Sequence, residues 1–335
     1  MKTGFDELRR RALIGIAFAG AGLVVSLLPF MNQAFAEPLR VGANPTVNCA
    51  LIYLADSQGF FKKQGVDVII KDYETGPLAV NDLVADKVDI ATAVEIVLVL
   101  QSFRYPDLRI PATISMVSNH DLVVRKDRGI VRPQDLKGKR VAVTRGSSSE
   151  FFFYTYLIFN RIPAGSVNVV YQTPSEMVKA MADGTIDAAV SWPPYPAEMA
   201  KRLGSKGARW LAQSGQDGYM ALLAKEGFLR KQSKTIERFL AALSDAQGYI
   251  AKYPDHAQTI VRQRFKDNTG SFSEAWSRSR LELQLTQDMI VLMELEAKWA
   301  MRNNLVKSRQ MPSYLDFLYF NALDRVKPEA VSVVH

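Results

Sequence analysis

From Leu39 onward the chain alternates short apolar runs with helical stretches, and it does so in two separate series. The first series predicts strands at 39–43, 66–71 and 89–93, with helices at 50–64, 78–85 and 96–103. The second restarts after Leu136-Lys137-Gly138-Lys139, with strands at 140–144, 167–171 and 187–191 and helices at 149–160 and 175–182. Alternation of this kind implies parallel strands covered by helices. The interruption implies two α/β units rather than one wide sheet. Residues 119–126, containing HDLVVRK, read as a strand leaving the first unit, and GYMALLA at 218–224 reads as the strand that returns to it. Beyond Lys225 the pattern is amphipathic and helical, with helices expected at 235–253, 254–265, 272–285 and 292–302 and no strand among them. The expected division is therefore a leading segment at 1–36, a first lobe at 37–119, a second lobe at 120–217, and a return to the first lobe at 218–335.

The leading segment has a different physics. Arg9, Arg10 and Arg11 form a basic head, 12–31 is almost uninterruptedly apolar, and Ala34-Phe35-Ala36 supplies the small-x-small box of a signal-peptidase site just after Pro29 breaks the helix. An exported protein cut after Ala36, and so a periplasmic one, is the expectation; an uncleaved anchor is the alternative, since the run is nearly long enough to span a bilayer. The residues leave the route open between Sec and twin-arginine export.

Charge and cysteine content narrow the partners. Removing the segment takes away four basic and two acidic residues, which lowers the formal charge from +8 to +6. The bases are interspersed with acids, as in RQRFKD at 262–267, whereas a nucleic-acid surface needs a concentrated stripe. No nucleic-acid partner is expected. Cys49 is the only cysteine, so an intrachain disulfide is excluded.

Four stretches carry a resemblance: ALIYLADSQGFFKKQGVDV at 50–68, GPLAVNDLVADKVDIATA at 76–93, RPQDLKGKRVAVTRGSSSE at 132–150 and AMADGTIDAAVSWPPY at 180–195. In their order and spacing they resemble the solute-binding proteins of ABC importers, in the NMT1/THI5-like group of sulfonate, taurine, nitrate and thiamine-precursor binders. The resemblance implies an α/β fold of the periplasmic-binding-protein type (type II), two lobes closing over a ligand in the cleft between them. It also implies a monomer that hands a small solute to a permease in the inner membrane. A receptor presenting ligand to a membrane sensor is the competing class.

Open α/β sheets bind ligands beyond the carboxyl ends of their strands, which selects five loops. The most informative holds Gly146, Ser147, Ser148 and Ser149. A helix beginning near Ser149 leaves backbone N–H groups unpaired at its positive end, so this turn suits an anion. Capping needs one hydroxyl, which leaves two for a ligand. Asn44, Thr46 and Asn48 follow the first strand, as ligand contacts or turn stabilisers. Gly76 allows close approach or simply precedes a helix that starts with proline. Glu95 is either an acceptor for a ligand N–H or a solvated helix-start acid. Trp192 and Tyr195 flank two prolines as a candidate aromatic wall, and Asp217 and Tyr219 lie at the return crossover, in hinge or ligand roles. The resemblance maps the 146–149 turn and the Trp192 loop onto the family's ligand-binding segments.

Catalytic and metal signatures are missing from the sequence. No G-x-S-x-G elbow surrounds Ser147, and His120, His256 and His335 lack triad or metal spacing. The related thiamine-precursor synthases carry a cysteine-rich motif that this chain does not have. The expectation is a binding protein without cofactor or metal, its ligand left open among a sulfonate, nitrate, an aromatic carboxylate and a pyrimidine.

Overall fold

The computed structural model describes residues 37–213, 215–265, 270–308 and 310–334. The export segment with its cut after Ala36, and His335, lie outside the described residues. Among the described residues eleven strands run in chain order: β1 (Leu39–Ala43), β2 (Val68–Asp72), β3 (Ile90–Val94), β4 (Leu108–Val117), β5 (Asp121–Arg125), β6 (Arg140–Val143), β7 (Asn168–Tyr171), β8 (Ala188–Ser191), β9 (Gly207–Leu211), β10 (Gly218–Lys225) and β11 (Ser279–Arg280). They form two sheets, ordered β11-β4-β10-β3-β1-β2 and β7-β6-β8-β5-β9. In each sheet a parallel set is extended by antiparallel neighbours: β1 pairs β2 and β3 in parallel while β10 runs against β3 and β4. In the second sheet, β6 pairs β7 and β8 in parallel while β5 runs against β8 and β9. This is the two-lobed α/β architecture of periplasmic binding proteins.

The strand sequences explain their positions. Ile-Ala-Thr-Ala-Val in β3 is buried at every residue, as a strand covered on both faces must be, and β10 is buried from Gly218 through Ala224. The second sheet is packed on both faces, by Leu122, Val141, Val143 and Phe153 on one and by Val123, Ala142, Met177 and Met181 on the other.

Several elements differ from the sequence reading. The helix expected at 50–64 is two, Ala50–Ser57 and Phe60–Lys63, because Gly59 takes a left-handed φ of +68° between them. The helix expected at 272–285 is only Phe272–Ser277, and the strand β11 follows, so the tail does contribute to the sheet. Beyond β11, Leu281, Leu283 and Leu285 alternate with Glu282, Gln284 and Thr286, a period of two, and Gln284 exchanges backbone hydrogen bonds with Thr113 of β4 (2.9 and 3.2 Å). Strand β4 itself went unread because Pro111 lies within it. Its pairing with β10 shifts register beside that proline, between the Leu222–Ala112 and Ala224–Arg109 pairs, which is how a sheet tolerates a residue without an N–H. The helix Tyr195–Leu203 and strand β9 are likewise additions.

Candidate functional site

The carboxyl ends of β1, β3, β6 and β8 converge on a cavity of about 30 Å³ lined by Asn44, Thr46, Asn48, Gly76, Pro77, Val94, Val97, His120, Ser147, Ser148, Trp192 and Met220. A larger cavity of about 520 Å³ shares Thr46 and Asn48 with it and runs outward between Pro193-Pro194 and Phe265, Phe272 and Ala275, with Glu198, Lys201 and Arg202 at its wall. The inner chamber has room for about two water-sized groups. It suits the polar head of a solute, and the outer chamber suits a body.

The helix Ser148–Phe159 starts at this cavity, capped by Ser147. All three serines are engaged. Ser147 Oγ donates to the Thr144 carbonyl at 2.7 Å and accepts from Ser149 N at 3.2 Å. Ser149 Oγ accepts from Thr144 N at 2.9 Å and lies 3.2 Å from Ser147 Oγ, to which it donates because the Ser147 proton is already placed. Ser148 Oγ sits 2.9 Å from His120 Nε2. The expectation of two hydroxyls left for a ligand is therefore corrected: Ser147 and Ser149 bind the turn to itself, and of the two serines lining the cavity, Ser147 and Ser148, only Ser148 has a hydroxyl not committed to the turn. Gly146 donates its N–H to Glu150 Oε2 at 2.7 Å, and Tyr171 donates to Glu150 Oε1 at 2.9 Å, so Glu150 braces the turn from behind.

His120 is the residue the sequence reading passed over. It is 1% exposed, wedged between Phe152 (ring centroids 4.8 Å) and Trp192 (5.8 Å). Its protonation follows from Gln213, which bridges the two crossovers between the lobes. Gln213 Nε2 donates to the carbonyls of Val117 (2.6 Å) and Gln216 (3.0 Å), which fixes the amide; its Oε1 then accepts from the backbone N–H groups of Asn119 (3.0 Å) and His120 (3.3 Å) and from His120 Nδ1 (3.0 Å). Nδ1 therefore carries the proton, and Nε2 accepts from Ser148. Burial pushes the imidazole pKa down to about 4, helped by the charge of Arg278 and opposed by the Gln213 hydrogen bond.

The remaining candidates divide. Thr46 Oγ1 is buried in the cavity wall with no hydrogen-bond partner, as is Asn119 Oδ1 beside it. Asn48 Oδ1 accepts from Asn119 Nδ2 (3.3 Å) and Ser279 Oγ (3.0 Å), which ties the first loop to the crossover and to β11. Asn44 turns inward, donating from Nδ2 to the Tyr73 carbonyl at 2.8 Å. At Gly76 a Cβ would stand 2.9 Å from Ala93 Cβ, so glycine is required for the close approach of its helix to β3. Trp192 walls the cavity, while Tyr195 lies behind it at 6.5 Å between ring centroids. Glu95 does not reach the cavity. Its carboxylate is buried and accepts the Tyr219 N–H; burial pushes it up to about 7, and burial together with the neighbouring Glu95 charge holds Glu296 well above the usual range. Asp217 and Tyr219 also lie outside both chambers, Tyr219 paired with Met116 in the sheet. Among the described residues no group of three His, Cys, Asp or Glu side chains is placed to hold a metal, and no helix is long and apolar enough to cross a membrane.

A family model described as NMT1/THI5 like matches residues 46–257, well over half of the chain. The chain belongs to the NMT1/THI5-like family. The match starts at Thr46 in the cavity wall and takes in the serine turn, Trp192 and Gln213. Among curated relatives, this NMT1/THI5-like chain is 26% identical to the taurine-binding periplasmic protein of Escherichia coli over 258 residues, 74% of this chain and 79% of that one. It is 27% identical to a putative aliphatic sulfonates-binding protein of Bacillus subtilis over 257 residues, 74% and 75% of the two chains. Among solved structures, the alkanesulfonate-binding protein SsuA of Xanthomonas axonopodis pv. citri bound to MOPS superposes with a TM-score of 0.74 at 18% identity, covering 85% of this chain and 99% of that one.

Proposed function

We propose that the protein is the extracytoplasmic solute-binding component of an ABC importer, capturing a small anionic or zwitterionic organic solute of the sulfonate class and delivering it to a membrane permease. The observation that carries the reading is the helix start at Ser148 opening onto a two-chambered cleft between the lobes. The backbone N–H groups there and the positive end of the helix suit an oxyanion head. The buried Thr46 hydroxyl, unpartnered within the protein, offers a second contact from the opposite lobe. The outer chamber, with apolar walls at Pro193, Pro194, Phe265 and Phe272, takes the organic body. The two relatives named for taurine and for aliphatic sulfonates support the ligand class. Micromolar capture requires about 8 kcal/mol, and a charged head at a helix start supplies at most about 2, so contacts from both lobes are needed. The two chambers have space for a head and a body, and the relatives named as binding proteins support reading a receptor rather than an enzyme.

A thermal-shift screen against taurine, short alkanesulfonates, nitrate and aromatic carboxylates tests this. A sulfonate present at about 100 times its dissociation constant stabilises the protein by about 2.7 kcal/mol, a readily measured rise in Tm. No rise with any anion, or conversion of the ligand on incubation followed by mass spectrometry, overturns it.

A further inference from the structure

The serine turn sits at the positive start of its helix, which suits an anion, yet its Gly146 and Ser149 N–H groups are already bound to Glu150 and Ser147, and its three hydroxyl protons all point elsewhere: Ser147 to Thr144, Ser149 to Ser147, and Ser148 to His120. At the cavity Ser148 therefore shows a lone pair, which opposes an anion. The cause is the tautomer that Gln213 imposes on His120. A proton on Nε2 reverses the arrangement. The imidazolium keeps its Nδ1–H bond to Gln213, donates from Nε2 to Ser148 Oγ, and leaves the Ser148 O–H to donate into the cavity.

We propose that His120 sets the charge class that this turn accepts: binding an anion takes up one proton from solvent onto His120 Nε2, and Ser148 changes from acceptor to donor. One N–H bond forms at Nε2 as one bond to hydrogen breaks in a solvent hydronium ion or buffer acid, whose conjugate base stays in solution, and no bond between heavy atoms changes. The proposal rests on the anion-binding reading above and adds the residue that controls it. Both chemistries stand on the geometry, since the ring is sealed between Phe152 and Trp192 with one nitrogen facing the serine. Without an anion nothing compensates a buried positive charge, and the imidazole stays neutral.

The other charges around the ring are already paired. Asp121, the next residue, binds Arg209 and Arg278, and Glu274 binds the same two arginines. On the serine helix Glu150 is held by Gly146 and Tyr171. Behind Val94 the neighbouring acids Glu95 and Glu296 are both pushed up by burial, which disfavours their charged forms. An arriving anion is the counter-charge that this set lacks.

Calorimetric titration with a short alkanesulfonate, which stays anionic throughout, is performed from about pH 8 to about pH 5 in buffers of contrasting ionisation heat. The expected results are a buffer-dependent heat that reports uptake approaching one proton, and an affinity that tightens about tenfold or more towards low pH, one pKa unit of differential binding being one factor of ten. His120→Gln donates an amide N–H to Ser148 without titrating, so it binds with no proton uptake and a flat profile. Ser148→Ala, as a second variant, weakens binding and flattens the profile too. Buffer-independent heats for a sulfonate that does bind overturn this proposal alone, as does a wild-type pH profile retained in His120→Gln, which assigns the titration to Glu95 and Glu296. Absence of sulfonate binding at every pH removes the anion reading and this proposal with it.

Discussion

Ser147, Ser148 and Ser149 carry one side chain and three roles: a cap, a cavity surface and a brace. Their identity could be read from the sequence, and so could the helix start, because glycine and serines between a β-branched run and an aromatic block mark such a turn. Their assignment could not, since it depends on which way each Cβ points at the end of β6. The roles predict a split. Ser149→Ala leaves the buried Thr144 N–H unpaired and costs about 1–3 kcal/mol of stability, and Ser147→Ala costs about 1 kcal/mol through the lost cap, both read by chemical denaturation. Ser148→Ala changes stability less and binding more. Glu95 carried a different lesson. The sequence places it at a strand end, but only the fold brings the distant Glu296 close enough for the charge on Glu95 to raise its titration. Both acids titrate above the unfolded value near 4.5, so the native state holds protons the unfolded chain has lost. Stability is therefore full below about pH 4.5 and falls as pH rises towards about 7, by roughly 1.4 kcal/mol per pH unit per proton. Glu296→Gln flattens that slope. His120 acts in the opposite sense, its depressed pKa removing stability as pH falls from about 6.5 towards 4.

Among the elements, the helix Ser148–Phe159 carries the aromatic contacts between the halves. It follows a strand of the second sheet, yet Phe151 and Phe152 belong to the apolar core of the first lobe, and Trp299 meets Phe151 edge-on at 5.2 Å. The aromatic block FFFY announced a buried helix; nothing in it announced which core it would enter. Elements with a clean period were legible, as at β3 and β10. Two went unread because one signal overrode another: Pro111 hid β4, and the leucines at 281, 283 and 285 were taken at a helical spacing when their true period is two. Gln213 joins the crossovers at this scale. Gln213→Leu strips a partner from the buried Val117 carbonyl and from the N–H groups of Asn119 and His120, a loss of at least about 2 kcal/mol. It also frees His120 to change tautomer, which NMR of the ring nitrogens would report.

For the whole molecule, the twice-repeated alternation was enough to establish two α/β lobes, because parallel sheets admit few arrangements. The number and size of the chambers were not legible, since they depend on how far the lobes approach. Among the described residues, the contacts that hold that approach include Glu74 accepting from Ser175 N at 2.8 Å, the Arg209–Glu274 and Arg278–Asp121 pairs, and Trp299 packed on Phe151 and Tyr154. The Glu74–Ser175 and Arg209–Glu274 contacts lie near the surface and weaken with salt, whereas the Arg278–Asp121 pair, with Asp121 buried, is screened less and the aromatic contact not at all. Trp299→Ala therefore favours separation of the lobes, and small-angle scattering of the unliganded variant should give a larger radius of gyration than the wild type, with ligand restoring the compact value. An unchanged radius would place the closing energy in the ion pairs. The shared wall at Thr46 and Asn48 has one more consequence. A solute is graded by two independent gauges, charge at one end and girth at the other, so changes at Pro193, Pro194 or Phe272 would retune which homologue of a compound series is carried while the preference for its ionic terminus stays intact.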